Sequence, residues 1–503
     1  MRWIAFVGLL LSGCLREAYD PWKMAPSSPY ANWTPLCGNR LISAQSCQPL
    51  LPPSFDSTEL NLAQLIDIAL QNNPMTKHTW AIARAAAAQY GQSLSQFFPA
   101  IAFNGNFLRI RNSEVLINSQ FGALPGTNES TPNIDVTQNQ FGVQESVGSP
   151  IPFYQTQIGP DLILSYTLFD FGQRTSAAIA AREALYYADL NHNQQIQMVI
   201  QSVMTDTYEY LYAQALQSAY EANLENAQTS LDAANERFSL GLAALGDVAQ
   251  ARTLFLQSRI NLTQQKQYVE NAFAELAVDL GLPPNLHFQV QPLPSEIVAT
   301  PILASVDELV ERAQKQRQDF LAAAADVRSK EASLLQAKRS VYPVLGTALD
   351  IGHYWFQDGL QEKGPHWSLG IEISCPLFQG FFYKNGIKKA KANVAASQAK
   401  MMQQELQIIQ DVTVAHMGIK TAAAILSDSA EYLKAAQLEF NIALTGYKAG
   451  TMTILDVVSA QSSLADARAK KINGEKSWFL SLSTLAYATG SLCTSPEEID
   501  ERM

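Results

Sequence analysis

From residue 172 to about 240 the apolar positions recur at helical spacing without a proline, and the same holds from about 381 to 448. Both stretches far exceed the ~8–20 residues usual for a globular helix, and at ~1.5 Å per residue each predicts a rod of roughly 100 Å. A glycine turn and a shorter helical run, about 246–280 and 453–489, follow each rod. Ahead of the first rod a helix is predicted from residue 57–59 to near Pro99, broken or kinked at Pro74. Ahead of the second, one helix is predicted over Ser305–Ser340, before Pro343. Elsewhere the period changes to two. Ile101, Phe103 and Phe107 alternate with Asn104 and Asn106, and Leu162, Leu164, Tyr166 and Leu168 with Asp161, Ser165 and Thr167. These predict a strand hairpin with a long polar loop over about 111–157. Leu345, Thr347, Leu349 and Ile351, then Leu369, Ile371, Ile373 and Cys375, predict a second hairpin.

The pattern is duplicated. Phe238–Ala251 is echoed by Tyr447–Ala460, with Phe238, Gly241, Leu245, Asp247 and Val248 answering Tyr447, Gly450, Ile454, Asp456 and Val457, each 209 positions on. Leu65, Ala69 and Pro99 answer Leu309, Ala313 and Pro343 at an offset of 244, so the first hairpin carries 35 more loop residues. Repetition at fixed offsets predicts a duplicated scaffold. The expected organisation is a targeting segment (1–13), an extended arm (14–57), a first repeat (58–284, strand hairpin 100–169), a linker (285–304), a second repeat (305–490, strand hairpin 344–376) and a tail (491–503). The fold class is mainly α with a membrane β-hairpin part. Four strands of about nine to eleven residues could each cross a bilayer when tilted. They cannot close a barrel, and an open edge in lipid leaves backbone groups unpaired. Three copies would supply twelve strands, an even number within the range of closed barrels.

At 503 residues and a net charge of −11 the chain lacks the basic stripe that a nucleic-acid partner requires. The one long apolar run, Trp3–Leu11, follows Arg2 and ends in Leu-Ser-Gly-Cys14, which resembles a bacterial lipoprotein signal with Cys14 as the lipid-carrying residue. Leu15 in place of aspartate points by that analogy to the outer membrane. Cys37 and Cys47 lie ten apart in a proline-rich stretch and could form a local disulfide in an oxidising compartment. Six histidines are scattered without metal spacing, and no phosphate loop or nucleophile elbow is present, so neither enzyme, metal nor cofactor is expected.

Leu62-Ala-Gln, Ala69-Leu-Gln-Asn-Asn-Pro74, the two Gly…Asp-Val turns, Leu-Phe at the strand ends and the duplicated layout resemble the TolC-like outer membrane efflux protein family, over about residues 58–490. With Cys14, the chain is similar to the lipoprotein branch of multidrug efflux systems, in which the cysteine carries lipid, palmitate included. The resemblance implies a homotrimer with a twelve-stranded barrel in the outer membrane and a periplasmic helical tunnel. Its function would be the exit duct of a tripartite efflux system, served by a periplasmic adaptor and an inner-membrane pump. It implies that Gly241 and Gly450 turn the periplasmic tip and that Asp456 belongs to an acidic ring. The second ring position is Ser459 here. Asp247 and Tyr447 match members of a latch whose arginine position is occupied by Met452. A type I protein secretion duct is the same-fold alternative, and a non-transporting envelope lipoprotein is the alternative of another class.

Overall fold

The computed structural model describes residues 25–26, 28–33, 59–112, 153–286, 288–292, 304–357 and 363–493. Its described residues divide into two units: a helical one within Met1–Ser93, Thr175–Ala337 and Lys384–Met503, and a sheet-bearing one within Leu94–Arg174 and Lys338–Tyr383.

Eight α-helices are formed among the described residues: α1 (Leu62–Asn72), α2 (Pro74–Ser95), α3 (Gln173–Ser239), α4 (Leu245–Asp279), α5 (Val306–Gln316), α6 (Gln318–Arg339), α7 (Phe382–Ala449) and α8 (Ile454–Thr489). At 67 and 68 residues α3 and α7 are the two rods, and α4 and α8 return along them with 35 and 36. Reciprocal capping boxes start α1 (Asn61 with Gln64), α5 (Ser305 with Glu308) and α8 (Thr453 with Asp456), satisfying amide donors that a first turn leaves free. No helix among the described residues is long and apolar enough to cross a membrane.

The single helix predicted over Ser305–Ser340 is in fact two. Arg317 takes an extended conformation (ψ 123°) between α5 and α6, as Asn73 does (ψ 125°) between α1 and α2. Pro74 announces the first break, but nothing local announces the second. Its cause is tertiary. Gly490, just past α8, lies against the backbone of Gln316 and Arg317, and Gly281, just past α4, lies against that of Asn72 and Asn73. The freed Arg317 side chain, 6% exposed, pairs with Asp319 (2.6 Å) and Asp411 (2.8 Å), while the Asn73 amide donates to Asp279 O at 3.0 Å.

Leu65, Val199, Val203, Phe273, Leu276 and Leu280 join α1, α3 and α4 in one buried cluster. Leu309, Ile408, Val412, Trp478 and Leu485 do the same for α5, α7 and α8. Part of the segment expected as a linker is packed into the first cluster: Phe288 lies 4.8 Å from the Phe273 ring, and Val290 bridges to Leu60. The arm docks on the helices through Trp80 Nε1, which donates to Pro26 O (2.9 Å), and through Asn193, which exchanges two bonds with the Trp33 backbone (2.6 and 2.7 Å).

The sheet has four antiparallel strands in the order β1 (Ala100–Asn112), β2 (Phe153–Phe169), β3 (Val344–Gln357) and β4 (Lys363–Ser374). They are 13, 17, 14 and 12 residues long, exceeding the nine to eleven expected. The polar stretch taken as loop to residue 157 already pairs from Phe153, because backbone ladder bonds do not need apolar side chains. Pairing of β2 with β3 fuses the two hairpins into one meander. Among the described residues β1 and β4 pair on one side only.

Candidate functional site

The register gives the sheet two unlike faces. Ile101, Leu164, Leu349 and Leu369 form one cross-strand row and Phe103, Leu162, Ile351 and Trp367 the next. Phe103, Trp367, Ile371 and Ile373 on this face are more than 70% exposed. On the opposite face the row Asn104, Asp161, Gly352, His366 is polar. There Asn104 donates to Asp161 (3.3 Å), and His366 lies 3.4 Å from Asp350. Apolar and polar faces follow from the alternation of side chains along the strands, which a register shift interrupts between Thr167 and Phe169 of β2.

The two helix reversals are built alike. Leu242 N donates to Arg237 O (2.8 Å) and Thr451 N to Gly446 O (2.9 Å), while Gly241 (φ +72°) and Gly450 (φ +80°) take the left-handed conformation that closes such turns. Ala234, Ala251, Phe440, Tyr447, Ile454, Val457 and Leu464 pack the ends of all four helices together. The alanines allow close approach.

Tyr447 is buried at the centre of this contact, 2% exposed, and its hydroxyl has no hydrogen-bond partner among the described residues. Burial raises its phenol above the usual range; the charge of Asp247, in the first turn of α4, pushes the same way, and Arg237 opposes. The position of the expected latch arginine is filled by Met452, whose side chain lies over Gly446 so closely that a Cβ there would sit 2.9 Å from Met452 Sδ. An arginine is present nonetheless, from the last turn of α3. Arg237 donates to Tyr447 O, to Lys448 O (3.4 Å) and to Leu242 O (3.3 Å), and its guanidinium covers the Tyr447 ring at 4.9 Å. Sequence reasoning missed it because the resemblance put the arginine on the other hairpin. Its one local signal was its place beside Phe238, in the first of the two echoed turns.

Asp456 and Ser459 are both exposed on the start of α8. Within the chain Asp456 serves the helix: its Oδ2 accepts from the Thr453 backbone N–H (2.8 Å) and from the Thr453 hydroxyl (2.8 Å). These bonds, the backbone one foremost, hold its carboxyl below the usual range. Tyr447, Asp247 and Arg237 are thus brought together, whereas Asp456 and Ser459 face outward. Cys14, Cys37 and Cys47 lie outside the described residues. Among the described residues no group of three or more histidine, cysteine or carboxylate side chains is placed to hold a metal ion.

Residues 65–282 and 309–491 match the family described as outer membrane efflux protein. The chain is similar to Protein CyaE of Bordetella pertussis, at 26% identity over 432 residues that cover 84% of this chain and 82% of that protein. It is also similar to the antibiotic efflux pump outer membrane protein ArpC of Pseudomonas putida, 23% identical over 496 residues, 97% of this chain and 94% of that one. The solved structure of the outer-membrane channel OprN superposes with a TM-score of 0.72 at 18% identity, over 86% of this chain and 90% of its own. The chain belongs to the outer membrane efflux protein family and is an outer-membrane protein, not an enzyme.

Proposed function

We propose that the chain is the outer-membrane exit duct of a tripartite system that exports drugs or other small molecules, working as a homotrimer with a periplasmic adaptor and an inner-membrane pump. One observation carries the reading: a four-stranded sheet with an apolar face, a polar face and two edges that, among the described residues, pair on one side only. In lipid such edges must be paired, and copies of the chain closing edge to edge into a twelve-stranded barrel would pair them all. The rods of the two repeats (58–284 and 305–490) would wall a periplasmic tunnel, with Gly241 and Gly450 at its tip. A ring of Asp456 carboxylates, with Ser459 beside it, would focus a negative potential at the constriction and favour cations. Lipid on Cys14 would help to anchor the arm. The similarity to ArpC, an antibiotic efflux pump outer membrane protein, supports the efflux reading, while relatives of mixed roles keep protein secretion as the alternative.

Mass measurement of the purified oligomer and conductance in planar bilayers test the reading. Three chains and a conducting pore support it; a dimer without conductance refutes it. A photo-crosslinker at Ser239 then identifies what docks at the tip. Capture of an adaptor of a proton-driven pump supports efflux; capture of an adaptor of an ATP-driven protein exporter transfers the duct to secretion. Asp456→Asn should weaken block of the pore by divalent cations, and unchanged block would remove Asp456 from the constriction.

A further inference from the structure

We infer that Arg237 ties the two reversal turns of one chain into a single unit, so that the turn bearing Asp456 is positioned by the other. The inference rests on reading these turns as the tip of the duct. A helix ends with carbonyls that lack an intrahelical partner and carry partial negative charge. Two such ends meet here, and one guanidinium serves both. From α3 it reaches Tyr447 O and Lys448 O in the last turn of α7, and Leu242 O just past its own helix. Its plane covers the Tyr447 ring, so the longest buried side chain of the contact is pinned between the guanidinium and the apolar cluster. Gly450 leaves the room for this approach, since a Cβ there would stand 3.4 Å from Arg237 Nη1.

The chemistry of this tie differs from that of the latch expected from the resemblance. Among the described residues no carboxylate forms an ion pair with Arg237, and its acceptors are backbone carbonyls, which do not titrate. A tie of this kind keeps its strength whatever the ionisation of Asp247 or Asp456. Lysine cannot replace it fully, because a point charge cannot both span two turns and stack on a ring. Arg237 is therefore a positioning residue. It holds the second turn to the first.

Hydrogen exchange on the full-length oligomer, read peptide by peptide, tests the tie whether or not the protein conducts. Arg237→Gln should speed exchange in the second turn (446–453) about tenfold, the scale of losing one charge-assisted hydrogen bond, although the substitution lies on the first hairpin. Arg237→Lys should fall between Gln and wild type, and the effect should persist at high salt, where backbone hydrogen bonds remain. Unchanged protection of the second turn overturns the inference, and so does an effect that disappears at high salt, which would mark an ionic latch. In planar bilayers the same Gln variant should open more often and bind blocking divalent cations more weakly. Wild-type gating and block in a variant with a loosened second turn would overturn the positioning role. A wild-type protein that never conducts would instead refute the proposed function, with exchange still deciding the tie.

Discussion

Alanine substitutions at Gly281 and Gly241 separate backbone strain from tertiary contact. The two glycines have nearly the same conformation, φ +71° and +72°, so the intrinsic penalty for a Cβ is shared. It amounts to about 1–2 kcal/mol, offset by roughly 0.4–1 kcal/mol from the stiffer unfolded chain. Their surroundings differ completely. At Gly241 a Cβ meets nothing within 4 Å. At Gly281 it stands 2.7 Å from the Asn72 carbonyl carbon, 2.8 Å from its oxygen and 2.9 Å from Asn73 N. That backbone cannot retreat, because Asn73 N–H is bonded to Ala69 O (2.8 Å) and the Asn73 amide to Asp279 O (3.0 Å). Overpacking of this kind adds ~1–3 kcal/mol. Gly241→Ala should therefore cost about 1 kcal/mol and Gly281→Ala about 2–4 kcal/mol. Gly490→Ala, with its Cβ 3.0 Å from Arg317 N, should fall with the second. Thermal melting followed by helical circular dichroism at one scan rate ranks the three. Equal loss in Gly241→Ala and Gly281→Ala would show that φ alone sets the cost, and would refute the close-approach argument.

Asp189 and His192 are both fully buried on α3, and burial pushes the aspartate from its ordinary 3.8 up to about 8 and the histidine from 6.5 down to about 4. The folded aspartate keeps a proton that the unfolded chain loses above 3.8, so its contribution falls as pH rises to about 8. The folded histidine refuses a proton that the unfolded chain takes below 6.5, so its contribution falls as pH drops to about 4. His192 offsets one aspartate between about 4 and 6.5, and Asp206 on the same helix, also raised by burial to about 7, adds its own loss up to that pH, so Asp189→Asn should flatten the part of the loss between about 7 and 8 in melting curves taken against pH. Arg317→Met leaves the buried Asp319 carboxylate without its cation, although Gln404 still donates to it, while Asp411 is partly solvated; it should cost about 2–3 kcal/mol, and a second change, Asp319→Asn, should recover part of the lost melting temperature. Asn193→Ala removes both bonds to the Trp33 backbone and should expose residues 28–33 to limited proteolysis at a protease level that leaves the helices intact.

The long helices, the strand faces and the duplication could be read along the chain because each rests on local periodicity. Long runs of helix formers without proline mark α3 and α7, alternation marks the sheet, and glycine ends each rod whatever lies beyond it. Even the capping pair Thr453 and Asp456 is a contact three residues long. The break at Arg317 had no such mark, for it is made by Gly490, 173 positions away in the sequence (490 against 317). Pairing of β2 with β3, burial of Phe288 and docking of Trp33 on Asn193 are likewise agreements between distant segments. The tip shows the division most sharply. Its glycines and acidic residue stand in two echoed stretches of sequence, yet the arginine that joins them serves carbonyls 210 and 211 positions away. A backbone carbonyl is the same at every residue and leaves no trace in the sequence, so only the packing of α3 against α7 could decide which ones Arg237 would find.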